Sequence, residues 1–113
     1  MLTKGDKLFL ITRRLFESDL RRHFIGEILE VSAATVMVSG YTFVFDQTTN
    51  EFVRRDEVLT RIFSLIDAGI VIFLLPRDAY LEDAYYRLDD QKRRIISDGK
   101  TFKINVSEFG VNR

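Results

Sequence analysis

From Thr35 to Phe45 the chain alternates Val36, Val38, Gly40 and Val44 against Met37, Tyr41, Phe43 and Phe45, a period of two. Successive side chains of a strand point to opposite faces, so a segment apolar on both parities is a strand covered on both faces or with one face at an interface. The polar stretch Asp46 to Asn50 then returns the chain into Glu51 to Arg55, where Phe52 and Val53 are the apolar content. This reads as two strands joined at a turn, with Gly40 permitting a bend in the first.

The flanking segments repeat the pattern. Leu8, Phe9, Leu10 and Ile11 form a short apolar run suited to a buried strand that opens the segment Lys7 to Phe16. Glu17 to His23 is charged and open between a helical turn and a loop, with Leu15, Phe16 and Leu20 as a small helical face. In Phe24 to Val31, Ile25, Leu29 and Val31 share one parity and Gly26 interrupts the other. Arg61 to Leu65 and Ile70 to Leu75 flank Asp67-Ala68-Gly69, which predicts a hairpin closed by Pro76. Arg77 to Asp83 is expected to make a helical turn with Asp78 at its N-terminus. Residues 84 to 88 fit a helix or a strand; Tyr85, Tyr86 and Leu88 followed by Asp89-Asp90 favour the strand. Finally, Asp98-Gly99 predicts a two-residue turn that sets Ile95 opposite Phe102, with Phe102, Ile104 and Val106 facing the core.

The periodicity therefore predicts a mainly β chain of antiparallel strands with a C-terminal β-meander and at most a short helix, in one domain spanning 1–113. A length of 113 residues, 46% hydrophobic and 30% charged, with one proline and six glycines, suits one ordered domain and excludes a disordered chain. There is no cysteine, which excludes disulfides and thiolate metal sites. The apolar run near the N-terminus is followed at once by Arg13 and Arg14, too short for a signal peptide or a spanning helix. The expected setting is the cytoplasm, with no membrane partner.

Seventeen basic and seventeen acidic residues cancel, so no global field draws the chain to a polyanion; any such site has to be local. Arginines recur in pairs, Arg13/Arg14, Arg21/Arg22, Arg54/Arg55 and Arg93/Arg94. Guanidinium groups bind phosphate in bidentate fashion but also serve interfaces and carboxylates, and neighbours on a strand point to opposite faces. Surface ion pairs are the expected use of most of them.

The spacing of Gly40, Phe45, Asp46, Asn50 and Val53 resembles the first signature of the Sm-like small β-barrels, with Thr49 and Glu51 making the loop more polar than the family's. Ile66-Asp67-Ala68-Gly69 and Ile70 to Leu75 resemble the second, but its arginine is missing. The resemblance covers roughly Thr35 to Pro76. It implies a small, strongly bent antiparallel barrel, Sm-like or SH3-like in its central part, that forms rings by pairing strand edges between subunits, and an RNA site at Asp46 and Asn50, with Arg54 and Arg55 nearby. Loss of the arginine that helps hold a flipped-out base in such rings bears on RNA binding more than on the fold. Over its whole length the chain also looks like a small bacterial family, a likeness that implies no activity.

Catalysis finds little support. His23 is the only histidine and, beside Arg22 and Phe24, reads as a packing or strand-edge residue rather than a general base. Asp78, Glu82, Asp83, Asp89 and Asp90 fit no calcium loop and read as surface or turn residues. Tyr80, Tyr85 and Tyr86 suit half-buried strands as well as stacking on bases. The expectation is a non-enzymatic self-assembling or partner-binding module, a homo-oligomer through strand edges, without catalytic residues, metal or cofactor; the alternative is an RNA-binding ring.

Overall fold

The computed structural model describes residues 1–12, 22–49, 51–66 and 69–106. Among these residues the strands are β1 (Lys7–Thr12), β2 (Arg22–Val31), β3 (Thr35–Asp46), β4 (Glu51–Arg54), β5 (Leu59–Ser64), β6 (Ile70–Leu75), β7 (Tyr85–Leu88), β8 (Arg94–Ser97) and β9 (Lys103–Asn105). One 3₁₀ turn, Leu81–Asp83, precedes β7. Every ladder is antiparallel. The protein is thus mainly β, as the alternation predicts, and residues 85–88 take the strand alternative.

Strands β1 to β6 form one sheet in the order β4-β3-β2-β1-β6, while β5 also pairs with β3. The long β3 makes this possible: Thr35 to Gly40 pairs with β5, and Phe43 to Asp46 pairs with β4. The second sheet is the expected C-terminal meander, β7-β8-β9.

The register divides the apolar residues into two cores. Leu8, Leu10, Phe24, Ile28, Val36 and Val38 lie on one face, and Phe63, Leu65, Ile70 and Ile72 pack against them. Phe63 of β5 reaches Phe24 of β2 with ring centroids 5.4 Å apart, although two strand spacings in a flat sheet separate such strands by ~10 Å. Both ends of the sheet therefore curl over this face. The opposite face presents Phe9, Ile11, Ile25, Phe43 and Phe52, which pack with Ala79, Ala84, Ile96 and Val106 of the C-terminal region. Apolar residues on both parities of β3 follow from this double cover.

Curling is permitted where β2 and β3 cross. Gly26 lies opposite Gly40 in the ladder. A Cβ on Gly40 would stand 1.9 Å from the Ile25 carbonyl oxygen and 2.5 Å from Gly26 Cα. A Cβ on Gly26 would stand 2.5 Å from the Ser39 carbonyl oxygen. No side chain fits at either place. A bulge between Ile28 and Glu30 then shifts the register, so Ile28 is buried while Val31 is exposed, and the shared parity of Ile25, Leu29 and Val31 does not define one buried face.

Three local expectations need correction. Strands β5 and β6 do not form a hairpin: β5 pairs with β3, and β6 pairs with β1 in the register Phe9↔Phe73. Adjacent strands separate here because each finds an apolar neighbour on an opposite end of the curled sheet. Secondly, Asp98-Gly99 is not a two-residue turn, since Ile95 faces Asn105 and Ser97 faces Lys103. The Asp98 carboxylate accepts from the backbone N–H of Lys100, Thr101 and Phe102 at 2.9, 2.7 and 3.3 Å, drawing those residues into the loop. Thirdly, the helical turn starts after Asp78: its first helical residue is Leu81, and the preceding Tyr80 N–H is held by Asp98 Oδ2 at 2.9 Å. The small helical face at Leu15, Phe16 and Leu20 lies outside the described residues.

Asp98 is buried, and burial alone raises a carboxyl's pKa. The Thr101 hydroxyl and the N–H groups of Tyr80, Lys100 and Thr101 together outweigh it and hold the group well below the usual carboxylate range. A depressed folded-state pKa contributes stability that is complete above the unfolded value of about 3.9 and is lost as pH falls below it. Asp98→Asn is expected to cost about 2–3 kcal/mol at neutral pH and to flatten the acid limb of a stability–pH curve measured by urea unfolding. Gly40→Ala is expected to cost about 3 kcal/mol by the same assay, through the clash with the Ile25 carbonyl.

Candidate functional site

Strand β4 places Arg54 and Phe52 on the face that meets the C-terminal sheet, and the two residues there do different things. Phe52 is buried and stacks on His23, centroids 4.2 Å apart and planes 22° apart, and on Tyr86 at 5.0 Å. His23 Nδ1 and the Tyr86 hydroxyl are hydrogen-bonded to each other. Phe9 and Phe43 meet the same tyrosine edge-on, at 6.4 and 5.1 Å. Burial pushes the Tyr86 hydroxyl well above the usual tyrosine range, partly offset by the charge of Arg94. His23 is 2% exposed. A histidine stacked on Phe52 and bonded to a protonated phenol acts here as a packing residue.

Arg54 is drawn inward rather than outward. Its guanidinium lies 4.0 Å from the Tyr85 ring centroid and 4.6 Å from that of Tyr41. Its Nη1 donates to the Glu82 carbonyl at 2.6 Å and more weakly to the Leu81 carbonyl at 3.5 Å, and Nη2 contacts the Tyr85 hydroxyl. Those two carbonyls belong to the 3₁₀ turn. A planar fork between two rings and two carbonyls clamps β4 to the C-terminal region.

The other sequence-derived site residues are dispersed. Asp46 ends β3, and its Oδ1 accepts from the Thr48 N–H at 2.9 Å, so it shapes the turn. Arg55 is exposed just beyond β4, its N–H donating to the Thr42 carbonyl at 2.9 Å. Asn50 lies outside the described residues. Asp89 is occupied by its own loop, accepting from the N–H of Gln91 and Arg93 and pairing with Arg93 Nε at 2.8 Å. Among the described residues, no three histidine or acidic side chains come together as a metal site requires.

Between β4 and the C-terminal sheet lies a hollow of about 360 Å³ lined by Glu51, Phe52, Tyr86, Arg87, Leu88 and Arg94. Its charges are mixed and its aromatic floor is Phe52 stacked on Tyr86. Nothing in it combines a nucleophile with a base. Its assembly was not legible in the sequence because Phe52 and Tyr86 are distant in the chain and each alone fits a half-buried strand.

Arg54→Lys keeps the charge but loses the fork, and is expected to destabilise the protein by about 2 kcal/mol. Thermal unfolding followed by tyrosine fluorescence and far-UV circular dichroism checks it.

No family model, no curated protein and no solved structure matches this chain.

Proposed function

We propose that the chain is a non-enzymatic self-assembly module whose curled sheet continues from one copy to the next through β5 and β6. The observation that carries this reading is the state of those two strands. Among the described residues, β5 has a ladder only with β3, and β6 only with β1. The two strands therefore end the described sheet, and a strand at a sheet's end is the template on which a further strand adds.

Each edge exposes large apolar side chains, and β6 is apolar throughout. Ile62 on β5 is 64% exposed and Leu74 on β6 is 58% exposed, and Ile66 between the strands is 77% exposed. Natural edges that avoid pairing carry lysine, proline or inward charges, and β6, reading IVIFLL, has none of them. Because the two edges differ, β5 of one copy against β6 of the next is a head-to-tail contact, which closes into a ring or continues as a filament. The curl of the sheet, the glycine contact that permits it and the Sm-like spacing around Gly40, Phe45 and Asp46 support a small barrel arranged in a ring.

The RNA-binding alternative draws on Asp46, Asn50, Arg54 and Arg55. The engagement of Arg54 with the 3₁₀ turn and of Asp46 with its own loop favours the assembly reading over it.

Light scattering coupled to size exclusion is expected to give a discrete mass above that of a dimer. Ile62→Lys and Leu74→Lys, each placing a charge on one edge, are expected to return the protein to a monomer with an unchanged circular dichroism spectrum. A monomeric parent protein sinks the proposal.

A further inference from the structure

The concave face of the sheet holds a second hollow, of about 240 Å³, whose lining includes Thr12, Arg22, Phe24, Thr42, Arg61 and Phe63. It gathers residues from the end of β1, the start of β2, the middle of β3 and β5. The ladders account for this. Arg22 faces Val44 and Phe24 faces Thr42 across β2–β3, whereas Arg61 faces Val38 across β3–β5. All these positions fall on the same parity of their strands, so the curl that packs Phe63 against Phe24 also turns Arg22 and Arg61 toward one space.

The electrostatics are one-sided. Among the described residues no carboxylate lines the hollow, and among them neither arginine has an ion-pair partner. Arg22 and Arg61 are both exposed side chains, so their ten N–H donors are available to a ligand, about five per guanidinium. Beneath them Thr42 is 8% exposed, and its Oγ1 is buried with no hydrogen-bond partner among the described residues. A buried unpartnered hydroxyl is costly and uncommon, and a site for a polar ligand is one reason for a protein to keep it. Thr12 contributes a hydroxyl already turned to the Arg22 carbonyl at 3.0 Å. The hollow at the β4 edge, by contrast, mixes Glu51 with its arginines.

We propose that the Arg22–Arg61 hollow binds a phosphate group, held by the two guanidinium forks, with the Phe24–Phe63 pair forming an apolar wall beside it. Guanidinium geometry matches two phosphate oxygens at once, and the pairing strengthens away from bulk water. With a chain of zero net charge, attraction to the anion comes from this local pair rather than from a long-range field. The volume is below the range of pockets that enclose drug-sized ligands, about 300–1,000 Å³, so a small group fits it. The apolar wall favours a phosphate monoester over the free ion. The inference is independent of the assembly reading, since it concerns the concave face and not the strand edges.

Isothermal titration calorimetry of the full chain with phenyl phosphate and with inorganic phosphate, at low salt, tests it. Saturable binding is expected, weakened about tenfold or more, which is about 1.4 kcal/mol, by Arg22→Gln and by Arg61→Gln. The control Lys103→Gln, which removes one exposed charge from β9, is expected to bind as the parent does. Arg61→Lys keeps the charge without the fork and is expected to fall between Arg61→Gln and the parent, which covers the case in which the glutamine variant does not fold. Tighter binding of phenyl phosphate identifies an ester as the ligand class, and equal binding identifies free phosphate; both uphold the site. Absence of saturable binding for both ligands, an arginine variant that folds and binds like the parent, or an equal loss in Lys103→Gln overturns it.

Discussion

The contact of Gly26 with Gly40 is the constraint on which the rest of this structure depends. Two strands approach so closely there that a methyl group on Gly40 would stand 1.9 Å from the Ile25 carbonyl oxygen, far inside van der Waals contact distance. Opening that crossing with side chains would hold the strands apart and flatten the sheet. The flat sheet would leave Leu8, Leu10, Phe24, Val36 and Val38 without the cover that Phe63, Leu65, Ile70 and Ile72 now supply. Burying those side chains is the main favourable term available to a chain of this size.

The curl has a second consequence. A sheet folded over one face must still cover the other, and here the C-terminal meander does so, packing Ala79, Ala84, Ile96 and Val106 against Phe9, Ile25 and Phe43. The junction is not apolar throughout. Arg54 is clamped between Tyr41 and Tyr85 and bonded to the carbonyls of the 3₁₀ turn, and His23 is enclosed by Phe52 and Tyr86. These directional contacts fix how the second sheet sits, a task that aliphatic packing alone leaves loosely specified. They also account for the residues that most invited a functional reading, the lone histidine and one of the central arginines.

What remains exposed divides by chemistry. The edge β6 is apolar along its length and β5 exposes Ile62 beside polar residues, and both suit a second strand. The concave hollow is basic and unpaired at Arg22 and Arg61, and suits an anion. One is a property of the sheet's end strands and the other of convergent side chains. Both arise from the same curl, which ends the ladder at β5 and β6 and brings β2 and β5 within reach across β3.

Period-two alternation in Thr35–Phe45, the apolar run at Leu8–Ile11 and the pattern Phe102-Ile104-Val106 were sufficient to determine a mainly β chain, because strand parity is a local property written in consecutive residues. At residues 85–88 the tyrosines and Leu88 running into Asp89-Asp90 favour a strand, and the structure takes it. The bend at Gly40 was legible too, since glycine within a strand marks a close approach. Only the tertiary structure decided that β5 and β6 part to opposite ends of the sheet, that Asp98 gathers its loop instead of turning in two residues, and that Arg54 faces inward while Arg22 and Arg61 converge. Each of those outcomes depends on partners far away in the chain: a strand chooses its neighbour by the apolar surface that neighbour presents, and an arginine's role is set by what the curl brings beside it.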